Sequence, residues 1–261
     1  MEQLSNQIKE ILSGMQTDAS NATQTTIPDA HKQITVQLGS DEHMRLAWKV
    51  FTRNMAARVQ ADTGRKLIID EQIQLPLTIF IAWAIGHVPT MQRYGVNPKK
   101  GLLIYGNVGS GKSILFRTLR DIKHKDEEAA KLFYRGMIFE NCEKIAKLYQ
   151  TGGDKHIEVY TQGVIRHAGD TMLRNFCFDD LGNEEPKNHY GNYREVMKDV
   201  INERYDDFLE HGLISCFTTN LSMEQIKKRY DERTASRLFE MCNIIGIGTN
   251  ADTYRDRRQT A

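Results

Sequence analysis

The sequence predicts an α/β fold in which a parallel β-sheet is covered by helices on both faces. From residue 101 onward, short apolar runs that suit buried strands alternate with longer stretches of helical periodicity. Three such runs, 102–105, 175–178 and 213–217, are the predicted strands, and residues 193–210 form the longest predicted helix between them. The first strand also leads directly into a glycine-rich loop. Alternating strands and helices of this kind are typical of parallel sheets.

The glycine-rich loop is the most informative segment of the chain. It reads Gly106-Asn107-Val108-Gly109-Ser110-Gly111-Lys112-Ser113, a complete G-x-x-x-x-G-K-S pattern, with a predicted helix from Ile114 onward. Glycines allow backbone N–H groups to converge on phosphates at a helix N-terminus. Lys112 is expected to neutralise the β- and γ-phosphates, and the Ser113 hydroxyl to hold Mg²⁺. We therefore predict that all eight residues bind a nucleoside triphosphate.

Two acidic residues, Asp179 and Asp180, stand at the carboxyl end of the second predicted strand. In a phosphate-loop fold this position suits a Mg²⁺-binding carboxylate and a second carboxylate that orients or deprotonates the attacking water. We assign the first role to Asp179 and the second to Asp180. Glu184 and Glu185, a few residues further on, are alternative sources of the second carboxylate.

Two further candidates follow the third predicted strand. Asn220 ends that strand and is placed to reach the γ-phosphate or the attacking water if the strand lies beside the phosphate-loop strand; capping the next helix is an equal alternative. The arginines of the segment 229–238 present planar cations that suit phosphate, although a solvated helix face is the more common fate of such a cluster.

Composition narrows the classes of function. The 261-residue chain is 40% hydrophobic and 26% charged with a formal net charge of +1, which is typical of a globular protein and carries no global signal for nucleic acid or membrane. No apolar stretch approaches a membrane span, and the first residues lack signal-peptide character, so we expect a cytoplasmic protein without a membrane partner. Four widely spaced cysteines suit buried, reduced thiols.

The region before the phosphate-loop strand is predicted to be mostly helical. Helical periodicity covers residues 2–15 and 41–61, and a polar tract at 17–26 separates them as a flexible linker. Residues 67–69 are a possible strand, and 74–85 are another helix. The two amphipathic helices either dock a partner or pack on the chain's own core, and the sequence does not separate these alternatives.

Together, four segments resemble the AAA+ ATPases of the DnaC and IstB group, which are bacterial helicase loaders and transposition helpers. The segments are 178–184, 201–205, 217–221 and 229–241, and the resemblance runs from about Lys100 to Arg258. It implies a P-loop AAA+ parallel sheet sandwiched by helices, with ATP and Mg²⁺ as cofactors. The chain departs from the family pattern at Asp231, where the family often has glycine.

The resemblance assigns further roles. It implies that Asn220 is a sensor of the γ-phosphate and that Arg237, of the Ser236-Arg237 pair, is an arginine finger that acts on a neighbouring subunit; Arg233 is the alternative finger. It also makes Arg258, in the element 256–258, a candidate contact to the nucleotide, with a solvated tail as the alternative.

The function implied is an ATP-dependent helicase loader that binds a replicative helicase and single-stranded DNA and hydrolyses ATP at subunit interfaces of a homo-oligomer. An IstB-type helper of a DNA transposase is the alternative, and a slowly hydrolysing nucleotide-dependent adaptor is a third. The predicted organisation is an N-terminal helix and linker at 1–38, a helical partner-binding region at 39–95 and an AAA+ ATPase domain at 96–261. Segments 155–167 and 227–229 are weak candidates for DNA contact.

Overall fold

The computed structural model describes residues 24–29, 32–167 and 170–249, with side chains described outside 24–36 and 164–172. The first elements in chain order are β1 (Gln24–Asp29), β2 (Lys32–Gln37), α1 (Asp41–Thr63), α2 (Glu71–Ile85), α3 (Val88–Arg93), β3 (Gly101–Tyr105), α4 (Lys112–Lys125), α5 (Glu127–Ala130), β4 (Ile138–Asn141), α6 (Cys142–Gly152) and α7 (Asp154–Thr161). They are followed by β5 (Val164–His167), β6 (Asp170–Leu173), β7 (Phe176–Leu181), β8 (Lys187–His189), β9 (Asn192–Arg194), α8 (Val196–His211), β10 (Ser215–Thr219), α9 (Met223–Tyr230), α10 (Glu232–Met241) and β11 (Cys242–Gly246).

A five-stranded parallel sheet organises the molecule. Its strand order is β11-β3-β10-β7-β4, so the strand that enters the glycine-rich loop lies inside the sheet and β10 is its direct neighbour. All pairings within this sheet are parallel. The predicted architecture, a phosphate-loop parallel sheet between helices, is confirmed. Because parallel strands end at one edge, the residues after β3, β7 and β10 meet there.

Apolar side chains cover both faces of the sheet. On one face, α1, α2 and α4 share a buried cluster in which Phe80 contacts the rings of Phe51, Trp83 and Phe116. On the other face, a second cluster joins α6, α8, α9 and α10 to the aromatic residues of β7 and β10. The sheet is therefore the central layer of a three-layer structure.

Helix α1 begins and ends at recognisable signals. The Ser40 hydroxyl caps its N-terminus by accepting from the His43 N–H, and Gly64 ends it in the left-handed conformation. The carboxylate of Asp70 then caps α2 by accepting from the N–H groups of Gln72 and Ile73. The two caps define an irregular segment, residues 64–70, between α1 and α2.

This arrangement answers the question that the sequence left open for α1. Its buried residues Met44, Phe51 and Met55 belong to the same cluster as Leu102 and Phe116 of the phosphate-loop unit. The helix therefore packs on the chain's own core, and its apolar face is not free to dock a partner. Helix α2 is equally buried in that cluster.

Several local predictions need correction. Residues 67–69 form no strand, and they lie in the irregular segment between α1 and α2. Residues 24–26, the end of the polar tract predicted to be a linker, lie in β1, which pairs with β2 as an antiparallel hairpin, and residues 17–23 lie outside the described residues. The helix predicted from residue 193 begins at Val196, because Tyr193 lies in the short strand β9. The helix predicted at 2–15 lies outside the described residues.

The four cysteines are buried and free, as the sequence predicts. Burial raises the pKa of each thiol, so all four are poor nucleophiles at neutral pH. In the part of the chain that the structure describes, no helix is long and apolar enough to cross a membrane.

Candidate nucleotide site

The glycine-rich loop connects β3 to the N-terminus of α4. A Cβ on Gly106 would lie 1.9 Å from the carbonyl oxygen of Ile247, and Gly111 has a φ of 101°, so both positions require glycine. Gly111 is the N-cap of α4, and no described side chain caps this end of the helix. The first N–H groups of α4 therefore face outward at the positive end of a fourteen-residue helix, which is the arrangement that binds phosphate.

Lys112, the first residue of α4, points back across the loop. Its ammonium donates to the carbonyl oxygens of Gly106 and Asn107, both at 2.9 Å, and to Oδ1 of Asn220 at 2.7 Å. The side chain is 5% exposed. The lysine and the predicted sensor residue, 108 positions apart, thus meet at the C-terminal edge of the sheet.

Asp179 lies within β7 and is fully buried. Its Oδ1 accepts a hydrogen bond of 2.6 Å from the Thr218 hydroxyl, and its Oδ2 lies 3.1 Å from Nη2 of Arg117. Both carboxylate oxygens therefore have donors, which compensates the cost of burying the charge. The sequence alone does not identify Arg117 as a site residue, because an arginine in a helix five residues after Lys112 matches no functional motif.

Asp180 follows in β7 with a positive φ of 58°, which is uncommon for a residue other than glycine. Its N–H donates to the Thr218 hydroxyl at 3.0 Å, and its carboxyl group lines the cleft. Burial, followed by the charge of Asp179, raises the pKa of Asp180, while Lys112 and Arg117 oppose the rise. A carboxyl group with a raised pKa beside phosphate-binding groups is suited to accept a proton from water.

The cleft above the loop has a volume of about 630 Å³. One wall contains the phosphate loop with Lys112 and Ser113, together with Asp180, Asn183 and Asn220. The opposite wall comes from the end of α1, the segment 64–70 and the start of α2, and includes Met55, Val59, Leu67, Ile68 and Ile73. A wall of apolar and polar side chains facing phosphate-binding groups is the usual composition of a small-molecule site.

Sequence reasoning missed this second wall. Leu67, Ile68 and Ile69 do stand out as an apolar run, but three residues cannot distinguish a strand from a segment that lines a cleft. The signal that could have separated the two is the pair of flanking caps, since Gly64 stops α1 and Asp70 starts α2, and little room remains for a strand.

The residues present fit ATP and Mg²⁺. The uncapped N-terminus of α4 and Lys112 supply donors for phosphate oxygens. The Ser113 hydroxyl and the Asp179 carboxylate are hard oxygen donors, which Mg²⁺ prefers. Ser113 lines the cleft, whereas Asp179 lies buried in β7 next to the cleft residue Asp180, so a metal at this site would be held mainly through phosphate and water.

Glu184 and Glu185 do not line the cleft. The buried carboxylate of Glu184 accepts hydrogen bonds from the Tyr230 hydroxyl and, at 2.9 Å, from the Gly182 N–H. Burial raises the pKa of Glu184, and the hydrogen bond from Tyr230 opposes that rise. Glu185 is exposed and its N–H donates to Glu143. Of the three residues considered for the second carboxylate, Asp180 is the one that lines the cleft.

The candidate arginines lie on α10, away from the cleft. Arg237 donates to Oδ1 of Asn202 at 2.9 Å, and its guanidinium lies 4.9 Å from the ring centroid of Tyr205. Both contacts are to α8 of the same chain. Arg233 is exposed to solvent. Arg258 lies outside the described residues.

The two segments considered for DNA contact differ in their surroundings. Residues 155–161 form most of α7, whereas 164–167 form β5, whose side chains are not described. In the second segment, Arg229 contacts the Glu184 carbonyl oxygen and the Glu195 carboxylate, and Lys227 pairs with Glu232. Lys228 is exposed.

Comparison with known proteins gives limited similarity. No protein-family model matches the chain. A curated relative, Protein SAV of Sulfolobus acidocaldarius, is 37% identical over 49 residues, which are 19% of this chain and 6% of that protein. The chain thus spans a small fraction of this relative's length.

Among solved structures with a similar backbone path, three have TM-scores of 0.43 to 0.44 with this chain. One is a putative primosome component from Streptococcus pyogenes, with 18% identity over 70% of this chain and 85% of that one. Another is DnaI, with 15% identity over 69% of this chain and 87% of that one. The third is AMPPCP-bound DnaA from Aquifex aeolicus, with 17% identity over 72% of this chain and 50% of that one. TM-scores below 0.5 describe a loose likeness only, so the phosphate-loop α/β fold rests on the strand order and loop geometry of this chain.

Proposed function

We propose that this protein binds ATP with Mg²⁺ and hydrolyses it to ADP and phosphate. The observation that carries the proposal is the meeting of Lys112, Asp180 and Asn220 around one cleft at the uncapped N-terminus of α4. Asp180 lies in β7, Asn220 follows β10 and Lys112 follows the loop after β3, so the pairing of three separate strands brings these groups together. Bound Mg²⁺ would neutralise phosphate charge, with Ser113 and Asp179 as its protein-side donors.

In the proposed reaction each group of the chain has one task. The loop N–H groups and Lys112 bind the phosphates, and Asn220 orients the γ-phosphate or the attacking water. Asp180 accepts a proton from that water, which its raised pKa favours. An arginine from a neighbouring subunit, Arg237 or alternatively Arg233, stabilises the charge that develops on the transferred phosphoryl group.

ATP turnover tests the core of this proposal. The wild-type chain should bind a fluorescent ADP analogue and release phosphate from ATP in the presence of Mg²⁺. Lys112→Ala should lose both properties, because it removes the cation that faces the β- and γ-phosphates. A wild-type chain without nucleotide binding, or an unchanged Lys112→Ala variant, would contradict the proposal.

We further propose that the ATPase acts as a helicase loader, delivering a replicative helicase to single-stranded DNA. The support is the set of sequence segments that resemble the DnaC and IstB group. The transposase helper is the competing assignment, since the same segments support both. With the apolar face of α1 buried in the core, a partner-binding role falls to residues 1–38 and to exposed side chains of 39–95.

Capture of partners by the ATP-loaded protein from its native host separates these functions. Two truncated variants, 24–261 and 39–261, serve as controls, because the second also removes the hairpin β1–β2 that lies against α1 and α5. Recovery of a hexameric helicase that is lost on truncation supports the loader. Recovery of a transposase, or of DNA alone, supports the transposition helper instead.

A further inference from the structure

Arg117 holds the carboxylate that the proposed function assigns to Mg²⁺. It lies one helical turn after Ser113 on α4, and its Nη2 is 3.1 Å from Oδ2 of Asp179. The carboxylate is 0% exposed, whereas the arginine side chain is 39% exposed and lines the nucleotide cleft. The guanidinium also lies 5.2 Å from the ring centroid of Phe139, within range of a cation–π contact.

Both oxygens of Asp179 have donors in this arrangement. Oδ1 accepts from the Thr218 hydroxyl, which also accepts from the Asp180 N–H and is thereby fixed in orientation. Oδ2 faces the guanidinium of Arg117. Thr218 is buried in the sheet, so Oδ2 is the oxygen that can change its partner. A metal ion, or a metal-bound water, would have to compete with Arg117 for this oxygen.

We propose that Arg117 is a positioning residue that competes with Mg²⁺ for Asp179. When Mg²⁺ and nucleotide enter, the guanidinium is released into the cleft that it already lines, beside the phosphate site. The inference rests on the proposed function, since it concerns the same Mg²⁺–nucleotide site. Arg117 would then set how strongly nucleotide binding depends on Mg²⁺.

Competition between Arg117 and Mg²⁺ links Mg²⁺ binding to nucleotide binding. With Arg117 present, the site already contains a cation near the phosphates, so nucleotide binds without Mg²⁺ more tightly than it would otherwise. Mg²⁺ must also displace the guanidinium, so the gain in affinity on adding Mg²⁺ is smaller. Because coupling between ligands is reciprocal, removal of Arg117 should raise the affinity of the nucleotide-loaded site for Mg²⁺.

The test measures the dissociation constant of a fluorescent ADP analogue in saturating Mg²⁺ and in EDTA. For Arg117→Ala and Arg117→Gln, the dissociation constant in EDTA divided by that in Mg²⁺ should exceed the wild-type ratio about tenfold, within the usual range of couplings between sites. Arg117→Lys retains a cation and should recover most of the wild-type ratio. Arg120→Ala is the matched control, since Arg120 lies on the same helix and contacts Phe139 but pairs with Asp121.

Three outcomes would overturn the inference. An unchanged ratio in both neutral variants would show that Arg117 does not compete with Mg²⁺. Equal losses of affinity in Mg²⁺ and in EDTA, together with a lower melting temperature, would show a packing role. A wild-type chain that binds no nucleotide would remove the proposed function and the inference together, whereas wild-type binding with an unchanged ratio would remove the inference alone.

Discussion

The ammonium of Lys112 and the side-chain oxygen of Asn220 are 2.7 Å apart, which joins the phosphate loop to the end of β10. The contact exists because β10 pairs directly with β3 in the parallel sheet. The lysine also donates to the carbonyl oxygens of Gly106 and Asn107, so its three N–H donors all have acceptors within the site. A γ-phosphate that binds Lys112 must therefore replace one of these acceptors.

The first prediction concerns Asn220→Ala. Removal of the amide should leave nucleotide affinity within a few-fold of wild type, because the loop N–H groups and Lys112 remain. Turnover should fall by about 10²- to 10³-fold, the usual cost of losing one polar group that stabilises a transition state. Steady-state phosphate release and binding of a fluorescent nucleotide separate the two effects. Asn192→Ala, which changes an exposed asparagine of β9 that does not line the cleft, should change neither.

The second prediction concerns the chemistry at Asp180. Asp180→Asn should retain nucleotide binding and lower turnover by about 10²- to 10⁴-fold, the typical contribution of a general base. The wild-type rate should fall on the acid side at a pH above the titration range of an ordinary aspartate, because the pKa of Asp180 is raised. A pH–rate profile of the wild type measures this limb.

The pH dependence of stability gives a second test of the raised pKa of Asp180. A carboxyl group with a raised pKa binds its proton more tightly in the folded chain, so ionisation of Asp180 lowers stability as the pH rises through that pKa. Asp180→Asn removes this effect and should melt at the same temperature as wild type at neutral pH, or at a higher one. A lower melting temperature would indicate a structural role at β7.

The third prediction tests the arginine assignment on α10. If Arg237 acts on a neighbouring subunit, Arg237→Ala should keep nucleotide affinity and lower turnover by about 10³- to 10⁵-fold, the range for arginine fingers. Asn202→Ala removes the hydrogen bond that Arg237 makes within the chain and should leave turnover largely intact. Equal losses in Arg237→Ala and Asn202→Ala would instead indicate that the α8–α10 contact itself is required.

Arg233→Ala provides the competing measurement in the same assays. Its side chain is exposed, so its replacement should not change the melting temperature. A large loss of turnover in Arg233→Ala, with activity retained in Arg237→Ala, would transfer the finger assignment to Arg233.

The fourth prediction concerns α1. Phe51 is fully buried between Phe80 and Phe133, so Phe51→Ala should lower the free energy of unfolding by about 3–5 kcal/mol. Arg53→Ala changes a side chain that is 69% exposed on the same helix and should have little effect. Chemical unfolding of the two variants measures the difference. A small cost at Phe51 would mean that α1 folds separately from the phosphate-loop core.

The sequence predicted local structure correctly where that structure depends on contiguous residues. The strand, loop and helix around Gly106–Ser113 follow from a local pattern, because glycine torsions and a helix N-terminus are properties of adjacent residues. Placement of Asp179 and Asp180 at the carboxyl end of a buried strand was equally local. Their proximity to the loop followed from the rule that parallel strands share one edge.

Other features depend on contacts between distant residues. Helical periodicity does not specify what α1 packs against, which segment forms the second wall of the cleft or which residues of the chain Arg237 contacts. Periodicity tells which face of a helix is buried, but not which surface it is buried against. The sequence could therefore state that α1 is amphipathic, while the choice between partner and core was made by tertiary packing.

By itself, then, the sequence determined the phosphate loop, the strand-end carboxylates and the α/β class, because each depends on neighbours along the chain. Only the tertiary structure decided that β10 lies against β3, that residues 65–68 line the cleft and that Arg117 pairs with Asp179. These relationships join residues tens of positions apart. Their energies come from burial and charge pairing, which exist only once the sheet and its helices are assembled.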